Sequence, residues 1–383
     1  MLPVKLRNKI EGRKAENALR ILGGQKNLID FSSNDYLGFS SSKIIFKKTL
    51  EILKHHKLEV NGATGSRLLS GNHALYNEAE DVITKFHNTE AALIFNSGYD
   101  ANIGLFSSVP QRGDLILYDE LCHASIRDGI RMSNAKAFKF KHNDLNDLTK
   151  NIENLRSTLS RVEVYIVTES VFSMDGDQSD LRAVIAICKK YNCNLIVDEA
   201  HAVGVFGSTG EGLVQELGIE NEIFARIVTF GKALGCHGAA ILGTNDLKEY
   251  LINFARSFIY TTGLPPHTVA TILSVYQELQ NNSIVQNKLK SNIAVLQLML
   301  KENSLVSQFI RSNSAIQSCL ISGNDKVKEA SMVLEKYSLD VKPILSPTVT
   351  EGKERLRICL HSYNTKEEIT QLVMCLVEYI KKK

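Results

Sequence analysis

Short, almost unbroken apolar runs recur between residues 91 and 230: AALIFN (91–96), DLILYD (114–119), VEVYIVTE (162–169), NLIVDE (194–199) and RIVTF (226–230). Runs of this length without polar alternation are the pattern of strands buried on both faces. Between several of them the period changes. In NHALYNEAEDVITKF, Leu75, Ala79, Val82, Ile83 and Phe86 recur at helical spacing, and DLRAVIAICKKYN after Asp180 does the same. Strand, crossover helix and next strand in succession predict a mostly parallel sheet covered by helices.

From about His267 the texture changes. Two long helical patterns, 267–280 and 285–303, lead to short strands near AIQSCLI and RLRICL with a helix between them. A last helix is predicted to start at Thr365: Thr365 and Glu368 have capping-box spacing, and Ile369, Leu372, Val373, Leu376 and Ile380 form one face. The predicted organisation is α/β: an N-terminal segment 1–40, a large domain 41–266 holding the mostly parallel sheet, and a smaller α+β domain 267–383.

Composition narrows the function classes. With 383 residues the chain can bury a large core. Its 45 basic and 42 acidic side chains leave a net charge of +3, and the one notable run of like charge is Lys381 to Lys383, so charge gives no case for nucleic acid or an anionic membrane as partner. No apolar run approaches the roughly 20 residues of a membrane span. Seven cysteines without a C-x-x-C pair, behind an N-terminus MLPVKLRNK that lacks a secretory apolar stretch, predict reduced thiols and a cytoplasmic location.

In a parallel α/β sheet the ligand site lies beyond the carboxyl ends of the strands. The residues found there are Ser97-Gly98-Tyr99 after the first run, His123 after the second, Ser170 to Asp177 after the third, Asp198 with His201 at the fourth, and Lys232 after the fifth. Pyridoxal phosphate has a use for each. A carboxylate such as Asp198 would keep the ring nitrogen protonated. N–H groups at a glycine turn, as at Gly98 and Tyr99, would hold the phosphate. His123 is placed to stack on the ring and His201 to reach its phenolic oxygen. Lysine is the side chain that forms the required imine, and partial burial of Lys232 would supply the free amine.

Each residue taken singly also has an ordinary structural reading. Lys232 reads as a solvated lysine, Asp198 as a helix cap, the two histidines as loop residues with surface hydrogen bonds, and Gly98 as a tight turn. Capping and turn chemistry, however, do not require this assortment past five different buried strands.

The segments FSSNDYLGF, NGATGSRLLSGNHALYNEAE, FNSGYDAN, DELCHASIRDGIR, KHND, TESVFSMDGD, VDEAHAVGVFGSTGEG and TFGKALG, in this order, closely resemble the α-oxoamine synthases, a pyridoxal-phosphate family of fold type I. The resemblance covers nearly the whole chain. It implies Lys232 as the Schiff-base lysine, Asp198 and His201 as partners of the ring nitrogen and phenolic oxygen, His123 as the stacking residue, and Gly98, Tyr99, Ser173 and Thr229 as further cofactor contacts. On the substrate side it implies Asn34 and Arg357 at the amino-acid carboxylate, Thr348 as a substrate contact and Arg20 as a substrate-side arginine near the N-terminus. FIYTTGLPP resembles the family segment whose threonine, here Thr262, reaches the phosphate of a partner subunit, which implies a homodimer. His237 in CHG departs from the small residues frequent there and reads as a packing variant, with a thioester-side contact as the alternative.

TFGKALGCHGAAILG, FIYTTGLPP, SAIQ and SPTVTEGKERLRICL look most like the biotin-pathway members. The activity implied is condensation of L-alanine with a pimeloyl thioester, carried on coenzyme A or acyl-carrier protein, with loss of carbon dioxide. Family members that use glycine with an acetyl thioester, or serine with a long acyl chain, share nearly every motif. Noncatalytic subunits of the family lack the imine lysine, which Lys232 argues against.

Overall fold

The computed structural model describes residues 2–20, 22, 24, 27–156 and 162–381, so Lys382 and Lys383 of the terminal lysine run lie outside the described residues. The strands in chain order are β1 (Ile29–Asp30), β2 (Ala91–Phe95), β3 (Leu115–Asp119), β4 (Lys136–Phe140), β5 (Val164–Glu169), β6 (Asn194–Asp198), β7 (Ala225–Thr229), β8 (Ala239–Gly243), β9 (Ile316–Leu320), β10 (Leu339–Asp340), β11 (Lys342–Ile344) and β12 (Arg355–Cys359). Two compact units result. The larger holds Asp35–Ser173 and Gln178–Gln286, and the smaller holds Met1–Asn34, Met174–Asp177 and Asn287–Lys383.

The larger unit is built on one seven-stranded sheet of order β2-β8-β7-β6-β5-β3-β4. Strands β7, β6, β5, β3 and β4 run parallel, while β8 lies antiparallel to both β2 and β7. All five apolar runs of the sequence are strands here. The pattern missed two others for different reasons: β4 (KAFKF) is an edge strand, exposed at four of five positions with lysines that blunt its open side, and β8 (AAILG) is enclosed by glycines, with Gly238 before it and Gly243 at its end. Helix Leu181–Tyr191 begins where Asp180 accepts a hydrogen bond from Ala183 N–H at 3.1 Å.

The unit boundaries differ from those read off the sequence at 40 and 266. Helix Pro266–Asn281 packs on helices Lys43–His55 and Ala74–Phe86, burying Val269, Leu273 and Tyr276, with Tyr276 Oη 2.9 Å from His87 Nε2. It therefore belongs to the larger unit. The N-terminal residues, rather than standing apart, join the smaller unit through the parallel pairing of β1 with β10.

In the smaller unit β11, β12 and β9 form an antiparallel sheet. Its last helix, Lys366–Lys381, opens on the expected capping box: Thr365 N–H donates to Glu368 Oε2 at 2.8 Å, and Glu368 N–H to Thr365 Oγ1 at 3.2 Å. Ile369, Leu372, Val373 and Leu376 are buried, and Ile380 is half-buried. Among the described residues no helix is long and apolar enough to cross a membrane.

One ion pair fixes the end of β6. Glu199, fully buried, receives Nε and Nη2 of Arg226 on β7 at 3.0 and 2.6 Å, and its second oxygen accepts Val214 N–H at 3.0 Å. Arg226 also donates to the carbonyl oxygens of His87 and Glu211. Gly212, at φ 111°, leaves room for that carboxylate, since a Cβ there would approach its oxygens to 2.8 Å. Removing one partner of a buried pair strands the other charge, at a cost of about 3–5 kcal/mol. Arg226→Ala is accordingly expected to lower unfolding free energy by about that amount, read as a fall in the urea midpoint followed by circular dichroism.

Candidate active site

A cavity of about 240 Å³ in the larger unit opens beyond the carboxyl ends of β5, β6 and β7. At one end is the N-terminus of helix Gly98–Ser108. Ser97 caps it, its hydroxyl accepting Asp100 N–H at 3.0 Å and its carbonyl Ala101 N–H at 3.0 Å. The N–H groups of Gly98 and Tyr99 are left at the open first turn, where an anion is favoured. Facing Gly98 is Thr229, whose buried hydroxyl has no partner among the described residues. The approach is close: a Cβ on Gly98 would lie 2.6 Å from Thr229 Cγ2. Tyr99 lines the cavity half-exposed, its own hydroxyl donating to Asp128 at 3.0 Å.

A hydrogen-bonded chain crosses the cavity wall. Asn102 spends one amide hydrogen on Asp198 Oδ2 and one on Ser125 Oγ, both at 3.0 Å. Asp198 Oδ1 accepts Ala200 N–H at 2.9 Å. Ser125 lies 2.7 Å from His123 Nδ1 through its hydroxyl and donates its backbone N–H to the same nitrogen at 3.2 Å. An N–H donor on Nδ1 requires that nitrogen to be unprotonated, so the ring hydrogen sits on Nε2. Burial holds the His123 pKa below its ordinary value, against the pull of Asp198, which favours the neutral ring.

Opposite, half-buried Lys232 places Nζ 3.3 Å from His201 Nε2, and His201 Nδ1 is 2.7 Å from the hydroxyl of fully buried Tyr36. The strand ends thus bring Gly98, Tyr99, His123, Asp198, His201, Thr229 and Lys232 around one cavity.

Two expected cofactor contacts fall elsewhere. Ser173 is half-buried and does not line this cavity, and Thr262 is exposed, with its carbonyl accepting Asn96 Nδ2 at 2.7 Å while Thr261 Oγ1 accepts the same group at 3.1 Å. His237, expected to be a packing variant, instead is exposed and borders the cavity. In the smaller unit Arg357 Nη2 donates to Asn34 Oδ1 at 2.9 Å, and Arg20 Nη2 reaches Thr348 Oγ1 at 3.5 Å, so these four residues form two pairs. The arginine of GATGSR is structural: Arg67 lies 3.8 Å over the Tyr76 ring and pairs with Glu80.

Sequence reasoning missed Glu169, Asn102, Ser125 and Tyr36. Glu169 stood last in a strand run whose loop alone was weighed, and Asn102 and Ser125 lie inside the helices Gly98–Ser108 and Ala124–Met132, where side-chain direction decides. Tyr36 lies far back in the chain and carried no strand-end signal.

The profile of the family described as class I and II aminotransferases matches residues 26–376. A protein named 8-amino-7-oxononanoate synthase from Emericella nidulans is 42% identical over 369 residues, 92% of this chain and 90% of that one. One of the same name from Chlorobaculum parvum is 37% identical over 359 residues, 91% and 88% of the two chains. Among solved structures, serine palmitoyltransferase from S. paucimobilis, carrying PLP, superposes with a TM-score of 0.89 at 25% identity, over 99% of this chain and 97% of that one. 8-Amino-7-oxononanoate synthase from Francisella tularensis gives 0.78 at 29% identity, over 94% and 99%.

The closeness of Gly98 to Thr229 makes the helix terminus sensitive to a single methyl group. Gly98→Ala is expected to weaken pyridoxal phosphate binding about tenfold or more, equivalent to about 1.4 kcal/mol, in a fluorescence titration, with the far-ultraviolet dichroism retained.

Proposed function

The chain belongs to the class I and II aminotransferase family, and from that premise we propose that it is a pyridoxal 5'-phosphate enzyme of the 8-amino-7-oxononanoate synthase type, joining L-alanine to a pimeloyl thioester with loss of carbon dioxide. The observation that carries the reading is the placement of an amine, a buried carboxylate and an orphaned hydroxyl beside a helix N-terminus on one cavity, in Lys232, Asp198 and Thr229.

The donor set fits the cofactor. Gly98 and Tyr99 N–H with the Thr229 hydroxyl would hold the phosphate, Asp198 would keep a proton on the ring nitrogen, the His123 ring would stack on the cofactor ring, and His201 would donate toward the phenolic oxygen. Ser173, which does not line this cavity, has no part in this reading. Pyridoxal phosphate, when bound, supplies a carbonyl that captures the amino acid and a cationic ring that accepts the electron pair released at its Cα. Lys232 then removes and returns the Cα proton as general base and acid, and His201 beside its Nζ steadies the free amine. Arg357 with Asn34 receives the amino-acid carboxylate, and Thr348 and Arg20 are further substrate contacts.

The substrates are small molecules in the cytoplasm, with the acyl group carried on coenzyme A or acyl-carrier protein, and neither nucleic acid nor membrane takes part. The fold match to serine palmitoyltransferase supports a second reading, serine with a long acyl chain, and glycine C-acetyltransferase stands beside it. Assays of alanine, glycine and serine against pimeloyl, acetyl and palmitoyl thioesters on both carriers separate these; product formation with serine or glycine in preference to alanine would overturn the alanine assignment.

The enzyme is a homodimer in this reading. Thr262 is exposed and stands outside its own cavity, as a residue serving a partner's phosphate must. Asp198→Asn should retain cofactor and lose turnover roughly a hundredfold or more, because an amide leaves the ring-nitrogen proton unstabilised; near-normal kcat would reduce Asp198 to a cap. Mixing Lys232→Ala protomers with Thr262→Ala protomers should restore part of the activity, since one site of each mixed dimer keeps both residues. An active monomer by light scattering, or mixed dimers that recover nothing, would count against the shared site.

A further inference from the structure

Glu169 lies on the cavity wall without a place in the mechanism above. It is the last residue of β5 and sits directly opposite Asp198 in the parallel register, so the two side chains leave the same sheet face on strands about 4.8 Å apart. Both are buried, Glu169 at 3% exposure and Asp198 at 4%. Their partners are unequal. Asp198 receives a donor on each oxygen, from Ala200 N–H and the Asn102 amide. Glu169 receives one, His123 N–H at 2.6 Å on Oε1, and its Oε2 has no hydrogen bond or ion pair among the described residues although it borders the cavity.

Two neighbouring buried carboxyl groups resist ionising together, and the less solvated one keeps its proton. We propose that Glu169 is that one: a neutral carboxylic acid whose Oε2–H donates to an acceptor atom of the ligand in the cavity, leaving Asp198 as the single carboxylate of the pair. Burial first, and the Asp198 charge second, push the Glu169 carboxyl well above the usual range, opposed by His123 N–H and the Lys232 charge and aided by Asp119. The arrangement divides labour between like groups: one carboxyl supplies charge, the other a hydrogen-bond donor that an ionised pair would lack. The identity of the acceptor as the cofactor rests on the proposed function; the protonation of Glu169 does not.

The full-length protein is tested with and without pyridoxal phosphate. Infrared spectra near neutral pH are expected to show a protonated-carboxyl C=O band, sensitive to deuterium exchange, that Glu169→Gln removes. An acid whose folded pKa is raised stabilises the fold below its unfolded value and loses that contribution as pH rises through the folded value. The melting temperature of Glu169→Gln relative to wild type should therefore climb by roughly 2 °C or more between about pH 5 and pH 8. Glu169→Leu, which removes the donor, should bind pyridoxal phosphate about tenfold more weakly than Glu169→Gln, which keeps one. Absence of the band, or a melting difference that stays flat or falls with pH, overturns the neutral acid; equal cofactor affinity of the two variants overturns the donor role. A protein that takes up no pyridoxal phosphate overturns the proposed function instead and leaves the first two readouts intact.

Discussion

The end of β6 is the constraint on which the site depends. Strand alternation sends Asp198 to the cavity face and Glu199 to the other side, and each carboxylate is buried with its own donors. Glu199 is clamped by Arg226 from β7, which ties the β6 terminus to the strand that ends in Thr229 and leads to Lys232. A shift of one residue at this terminus would exchange the two carboxylates, putting the paired one in the cavity and the cavity one against Arg226. The ion pair holds the end of β6 in the one register that leaves Asp198 on the cavity face.

Much of this was legible in the sequence because the physical cause was local. Nearly continuous apolar runs marked buried parallel strands, and the rule that ligands lie beyond their carboxyl ends selected Gly98, His123, Asp198, His201 and Lys232, which the structure gathers around one cavity. The Thr365–Glu368 box is equally local and forms as spaced. What was illegible depended on partners distant in the chain. Asn102 has an unremarkable helical setting, and its importance appears only when Asp198, 96 positions away, and Ser125 meet its two amide hydrogens. Tyr36 reaches His201 across 165 positions. The strand β4 hid behind its lysines for the opposite reason: a solvent-facing edge does not need an apolar signature.

The site is also a lesson in how polar groups survive burial. Several in the cavity wall are used twice: Asn102 for Asp198 and Ser125, and Ser125 for His123 through hydroxyl and backbone. Such a network fixes rotamers and tautomer before any ligand arrives, which lowers the reorganisation left for the reaction. The atoms left without partners are then informative. The Thr229 hydroxyl is orphaned at the very helix terminus where N–H groups also await an anion, and an unsatisfied buried hydroxyl is costly enough that a bound oxyanion is the natural completion of the fold.

Three ionisable groups of the cavity wall, Lys232, Asp198 and Glu169, share a small volume. The proposed chemistry asks for a free amine from the first and a negative charge from the second. Two carboxylates ionised side by side would repel one another, and two neutral carboxyls would leave the cavity wall without a negative charge. Unequal donor counts on adjacent strands resolve this, giving Asp198 two hydrogen bonds and Glu169 one, so that position in the register sets which of two like groups carries the charge.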